Sequence, residues 1–195
     1  MSQIGLFFDQ TRCTGCYTCV VACKDWHDIK AGAVQRMRII PIEKGVFPEL
    51  FVAYLALACC HCENPPCVTV CPADAITKRA TDGIVLVDRD KCLGRQECHA
   101  ACLKACPWDT PQFDPAKGGK MEKCDFCFDR LDNGQQTICV EACPTYALDA
   151  GPLTELVEKY GPEVEATGFR YQEKFRPSVL FKPKTDGVRN GYQPN

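Results

Sequence analysis

The residues able to do chemistry in this chain are its 17 cysteines, and they are not scattered. They fall into four groups: Cys13, Cys16, Cys19 and Cys23; Cys59, Cys60, Cys62, Cys67 and Cys71; Cys92, Cys98, Cys102 and Cys106; and Cys124, Cys127, Cys139 and Cys143. Each group ends in a Cys-x3-Cys step, and Pro72, Pro107 and Pro144 follow the last cysteine in three of them. A cubic [4Fe–4S] cluster needs four thiolates converging from different directions. A Cys-x2-Cys-x2-Cys loop curls round to supply three, and the fourth, after a three-residue step, belongs to the loop of the other cluster in two-cluster ferredoxins. The first group has this spacing without gaps. Cys59–Cys71 has it with two residues inserted before the third cysteine, and Cys124–Cys143 with a longer insertion.

Two other uses of cysteine fit less well. Structural zinc sites join two Cys-x2-Cys pairs, not triplets followed by a Cys-x3-Cys-Pro step. Disulfides need an oxidising compartment, and cysteines this close on a tight loop are poorly placed to pair locally. The spacing points to clusters.

The third group departs from the pattern, because Arg95 stands where a second ligand belongs and four residues are added before Pro107. One reading is a lost ligand, leaving a [3Fe–4S] cluster or an empty site. The other is compensation, with Cys92, Cys98 and Cys102 serving one cluster and Cys106 taking the role of the cysteine before proline. Counting favours compensation. Four cubes take sixteen thiolates, and Cys60 is the surplus one, since Cys59 stands two residues before Cys62. A continuous helix would carry Cys98, Cys102 and Cys106 on one face. His99 is expected at the surface, not as a ligand. Arg95 reads equally as a charge raising a cluster potential or as an ordinary surface arginine.

Short elements must position these groups. Ile4–Asp9 reads as a strand leading into the first, and Cys19 to about Ile29 as a helix presenting both members of Cys-x3-Cys on one face. Arg36–Glu43 is strand-like, limited to an edge or an end by Pro41. Ala75–Lys78 and Ile84–Asp88 flank Asp82-Gly83 as a hairpin. Thr145–Asp149 is a weaker strand, and Leu153–Tyr160 a helix between Gly151-Pro152 and Gly161-Pro162. Gly15 and Gly94 are expected to let backbone approach sulfur. Trp108, Phe126 and Phe128 are expected to pack and exclude water. The polar stretch from Arg170 should lie along this protein or a partner.

Charge and hydropathy exclude other classes. A net charge of −2 gives no footprint for nucleic acid. No apolar run reaches membrane-spanning length; Tyr54–Cys60 is the most apolar and is far too short. The amino terminus shows no secretory or twin-arginine pattern.

The motifs Arg12-Cys-Thr-Gly-Cys16, Cys60-His-Cys-Glu-Asn-Pro-Pro-Cys67, Asp82-Gly-Ile-Val-Leu-Val-Asp88, Cys106-Pro-Trp-Asp109, Lys123-Cys-Asp-Phe-Cys127 and Cys139-Val-Glu-Ala-Cys-Pro144 carry a resemblance running from about residue 4 to 182. The chain resembles the four-cluster ferredoxin subunit of molybdopterin oxidoreductases of the dimethyl sulfoxide, polysulfide and thiosulfate reductase type. The resemblance implies four [4Fe–4S] clusters with these ligand sets: Cys13, Cys16, Cys19 with Cys143; Cys124, Cys127, Cys139 with Cys23; Cys59, Cys62, Cys67 with Cys106; and Cys92, Cys98, Cys102 with Cys71. At the last set [3Fe–4S] stays the alternative. It also implies an α+β fold of two ferredoxin-like modules, one formed by residues 1–50 and 114–165, the second (51–113) inserted in it, and 166–195 an extended tail contacting a partner.

Implied in turn is a relay of single electrons between a large molybdenum or tungsten pterin catalytic subunit and a membrane anchor or soluble carrier. No catalytic residue of its own is expected. The competing readings are a stand-alone polyferredoxin, a wiring subunit of a hydrogenase or other non-molybdenum enzyme, and a zinc-ribbon interaction module. Location is expected to be cytoplasmic, or membrane-associated or periplasmic if a partner carries the export signal.

Overall fold

The computed structural model describes residues 3–115 and 118–185. In chain order its elements are β1 (Ile4–Asp9), α1 (Thr18–Trp26), β2 (Arg38–Lys44), β3 (Phe51–Leu57), α2 (Pro66–Thr69), β4 (Ile76–Lys78), β5 (Val85–Val87), α3 (Arg95–Cys98), α4 (Ala101–Ala105), β6 (Gln112–Asp114), β7 (Lys120–Glu122), α5 (Phe128–Asp132), α6 (Ile138–Glu141), β8 (Leu148–Pro152), α7 (Leu153–Tyr160) and β9 (Val179–Lys182). This is a mixed fold of short helices and small sheets.

The largest sheet has the order β8-β1-β9, with β1 antiparallel to β8 and parallel to β9. Alternation along β1 divides its side chains between two cores. Leu6 and Phe8 join Val179, Phe181, Leu148 and Ala150 in the main core, while Phe7 joins Leu180 and Leu156 under α7. Tyr160 stacks on Phe7 at 3.7 Å and donates its hydroxyl to Asp149 at 2.7 Å, which locks α7 onto the sheet. Full burial of a side chain such as Phe8 or Leu55 contributes about 1.5–3 kcal/mol.

β1, α7 and the β4–β5 hairpin form where the sequence predicts them, and β2 lies within two residues of its expected range. Four differences have local causes. α1 stops at Trp26 because Asp28 takes a left-handed conformation and the Ile29 N–H bonds back to the Lys24 carbonyl at 2.9 Å, a helix-terminating loop. β8 starts at Leu148 instead of Thr145, since Tyr146 is left-handed and the Ala147 N–H is spent on the Cys143 sulfur at 3.3 Å. β3 turns the apolar run into a strand paired with β2 from Arg38↔Leu57 to Lys44↔Phe51. The stretch expected as a tail contains β9, whose Val179, Leu180 and Phe181 are buried. Residues 186–195 of that tail lie outside the described residues.

Candidate functional site

Four cavities between these elements are lined by cysteines. Cys13, Cys16, Cys19 and Cys143 line the first, against Phe8, Ile39 and Leu148. Cys23, Cys124, Cys127 and Cys139 line the second, together with Cys59. The third is lined by Cys59, Cys60, Cys62, Cys67 and Cys106. Cys71, Cys92, Cys98 and Cys102 line the fourth, among Leu93, Phe113 and Met121. All 17 thiols are free of disulfides.

Helix geometry explains how one group serves two cavities. Residues four apart lie on one face but a turn, about 6 Å, apart along the axis. Cys19 on α1 reaches the first cavity and Cys23 the second, while Cys139 on α6 reaches the second and Cys143, just beyond it, the first. α1 packs on α6. The same exchange joins α2 and α4: Cys67 and Cys106 reach the third cavity, Cys102 and Cys71 the fourth.

The irregular third group does not form the single helical face expected of Cys98, Cys102 and Cys106. His99 and Ala100 are both left-handed, with φ of 52° and 51°, so α3 ends and α4 begins on a new axis. Cys98 and Cys102 still converge, and Cys106, in extended backbone, turns to the neighbouring cavity. Gly94 permits this loop. It has φ of +85°, and a Cβ there would lie 3.2 Å from the Gly118 carbonyl, so the crowding comes from backbone, not sulfur. At Gly15, φ +70°, the crowding comes from the Tyr54 ring. Arg95 is exposed and its N–H bonds the Gly119 carbonyl at 3.0 Å, as an ordinary surface residue would. His99 is exposed too.

Burial, and after it the neighbouring thiols, pushes Cys19, Cys67 and Cys127 up to about 12 and Cys102 to about 11. Such sulfurs are thiols unless a cation replaces the proton. The walls nevertheless present donors suited to a thiolate. The Phe126 N–H points to Cys124 Sγ at 3.4 Å, and the hydroxyls of Thr110, Thr137 and Thr18 lie 3.4, 3.5 and 3.3 Å from the sulfurs of Cys106, Cys139 and Cys16. At least four thiols per cavity, contributed by separate segments, with N–H or O–H donors to a sulfur at the first three, suit cubic iron–sulfur clusters.

A network that the cysteine spacing does not announce lies between the cavities. Arg36 donates to Glu122 at 2.9 and 3.0 Å and to Asp125 at 2.6 Å, and Arg89 also reaches Glu122. Burial raises the Asp125 carboxyl, but Arg36, His27 and the Cys127 N–H together outweigh it and hold the group below the usual carboxylate range. His27 Nε2 sits 3.5 Å from Cys127 Sγ and 3.6 Å from Asp125, and burial lowers its affinity for a proton despite Asp125. These three residues cluster as metal ligands do, yet Cys127 also belongs to the second cavity. His61 is fully buried, and its Nδ1 accepts the Val85 N–H at 2.9 Å. Trp108 stacks on Phe169 at 5.4 Å and Phe126 is buried, in packing roles.

Residues 50–153 match the family described as 4Fe-4S dicluster domain. Over the whole chain, the B subunit of the anaerobic dimethyl sulfoxide reductase of Escherichia coli (strain K12) is 40% identical, the alignment covering 100% of this chain and 97% of that subunit. The formate dehydrogenase iron–sulfur subunit of Wolinella succinogenes is 37% identical over 90% of this chain and 98% of its own length. The thiosulfate reductase electron transfer subunit of Salmonella typhi is 39% identical, with 79% and 78% covered. Together with the seventeen cysteines, these relatives indicate four [4Fe–4S] clusters and not a zinc ribbon. The chain therefore belongs to the family of iron–sulfur electron-transfer subunits that includes the B subunit of dimethyl sulfoxide reductase.

Proposed function

We propose that this chain conducts single electrons along a row of four sites, from the cavity of Cys13, Cys16, Cys19 and Cys143, through that of Cys23, Cys124, Cys127 and Cys139, then that of Cys59, Cys62, Cys67 and Cys106, to that of Cys71, Cys92, Cys98 and Cys102. The observation that carries the order is the sharing of walls. α1 and α6 join the first two cavities, Cys59 lines both the second and the third, and α2 and α4 join the last two. Bound [4Fe–4S] clusters supply reversible one-electron chemistry. The protein holds them apart, keeps water out with apolar walls, and offers N–H and O–H donors to sulfur.

The ends of the row are where other proteins would exchange electrons. A catalytic subunit carrying a molybdenum or tungsten pterin is the proposed partner at one end, with a membrane anchor or soluble carrier at the other. Among the described residues no helix is long and apolar enough to cross a membrane. A cytoplasmic location, or a membrane-associated or periplasmic one reached with an exported partner, accompanies this reading. The proposed organisation is two nested modules, residues 1–50 with 114–165 enclosing 51–113. Each has the helix pair of one cavity pair, α1 with α6 and α2 with α4.

The test is anaerobic purification with the native partner. Iron and acid-labile sulfide should approach about sixteen of each per chain. Cys143→Ser should remove or convert only the first cluster, and Cys23→Ser only the second, by electron paramagnetic resonance. Loss of both signals from either variant would refute the ligand sets.

A further inference from the structure

Lys123 is 4% exposed, yet among the described residues it has no carboxylate within ion-pair distance. The acidic groups nearby, Glu122 and Asp125, are engaged by Arg36 and Arg89. The ammonium instead donates to two backbone carbonyls, Val85 O, at very short range, and Cys124 O at 2.7 Å. An ammonium has three donors, and a buried cation without a counter-charge is strongly disfavoured. It forms part of the wall of the thiol-lined third cavity and also lines a second, polar pocket with Arg36, Arg89 and Asp125, whose carboxylate is held by Arg36. Of the residues lining the four cavities, it is the one lysine or arginine among the described residues.

Its position is held from two sides. Val85, whose carbonyl accepts Lys123, gives its own N–H to the buried Nδ1 of His61, which stands between two cysteines of the same cavity. A second ammonium, that of Lys78, donates to the Cys62 carbonyl at 2.9 Å and the Glu63 carbonyl at 3.0 Å. Among the described residues, no lysine or arginine lines either flanking cavity.

We infer that Lys123 is the built-in counter-charge of the cluster held by Cys59, Cys62, Cys67 and Cys106, and that it sets the reduction potential of that cluster above the value the same cage would have without it. The inference rests on the ligand set proposed above. A fixed cation favours the form of the site carrying one more electron, and that electron arrives from the neighbouring cluster in the row.

Redox titration of the native complex, followed by electron paramagnetic resonance, tests this on Lys123→Met, Lys123→Gln and Lys123→Arg. The first two should lower the midpoint of one signal and leave three unmoved, and Lys123→Arg should keep it near the wild-type value. Cys106→Ser identifies that signal by altering it. Selective loss of this one cluster in the Met and Gln variants, with retention in the Arg variant, supports the same conclusion. Unmoved midpoints in Met and Gln variants holding four clusters overturn it, as does loss of the cluster in all three variants, since charge would then not decide. If Cys106→Ser and Cys98→Ser alter the same signal, the ligand sets fail first, and the inference with them.

Discussion

The third and fourth cavities are built by the same helix pair yet by different rules. The cavity of Cys59, Cys62, Cys67 and Cys106 has near-regular spacing, a fifth thiol in Cys60, a hydroxyl from Thr110 and a buried ammonium. That of Cys71, Cys92, Cys98 and Cys102 has irregular spacing and apolar side chains in its wall, including Met121, whose Sδ lies 3.5 Å from Cys102 Sγ, while the Cys98 thiol meets the Gly94 carbonyl at 3.0 Å. Four thiols converge in both. The difference teaches that ligand convergence and tuning by polar side chains are separate achievements: a rebuilt backbone delivers the first, and among the described residues no hydroxyl or ammonium side chain lines that cavity.

The largest effect should come from removing ligands. Cys98→Ala leaves the fourth cavity with no spare thiol and should take iron from about sixteen to about twelve per chain, or leave a [3Fe–4S] signal. Cys59→Ala should retain more iron, because Cys60 lines the same cavity. Equal losses by iron analysis would show that Cys60 cannot reach the cage.

Next in size is Met121→Ala. Met121 is almost fully buried against Cys102, so truncation should cost about 2–4 kcal/mol and loosen the fourth site before the third. Thermal unfolding together with the order of cluster loss on heating checks this. Gly94→Ala should cost about 1–3 kcal/mol, since it combines positive φ with a close carbonyl, and should again fall on the fourth site alone. Denaturant titration gives the size of the loss, and cluster spectra its location. The smallest change belongs to Thr110→Val, which removes the hydroxyl 3.4 Å from Cys106 Sγ. It should lower the potential of the third cluster by less than Lys123→Met does and leave the fourth unmoved in the same titration.

Legibility followed spacing. The first, second and fourth groups declare themselves because a loop around a small cage admits few separations between cysteines. In the third group the count of thiols carried the reading, and the expected continuous helix was wrong: His99 and Ala100 break it, although neither residue type announces a left-handed turn. Gly94 was legible as special, but its carbonyl neighbour, supplied by Gly118 from a distant segment, was not. β3 was visible only as an apolar run, because pairing with β2 is a long-range choice.

By itself the sequence determined the kind of cofactor, the number of thiols for it and most of the elements carrying them, since these depend on short-range spacing and on period. Tertiary structure alone decided which helix faces which, so that a single Cys-x3-Cys step feeds two cavities, and that Cys59 stands between the second and third. It also decided where the charges go. Lys123 reads in the sequence as one more lysine beside a cysteine, and only the folded structure, with Arg36 and Arg89 holding the nearby carboxylates, buries it in the wall of a cavity lined by cysteines. Electrostatic energy depends on distance and desolvation in space, and neither is written in the order of residues.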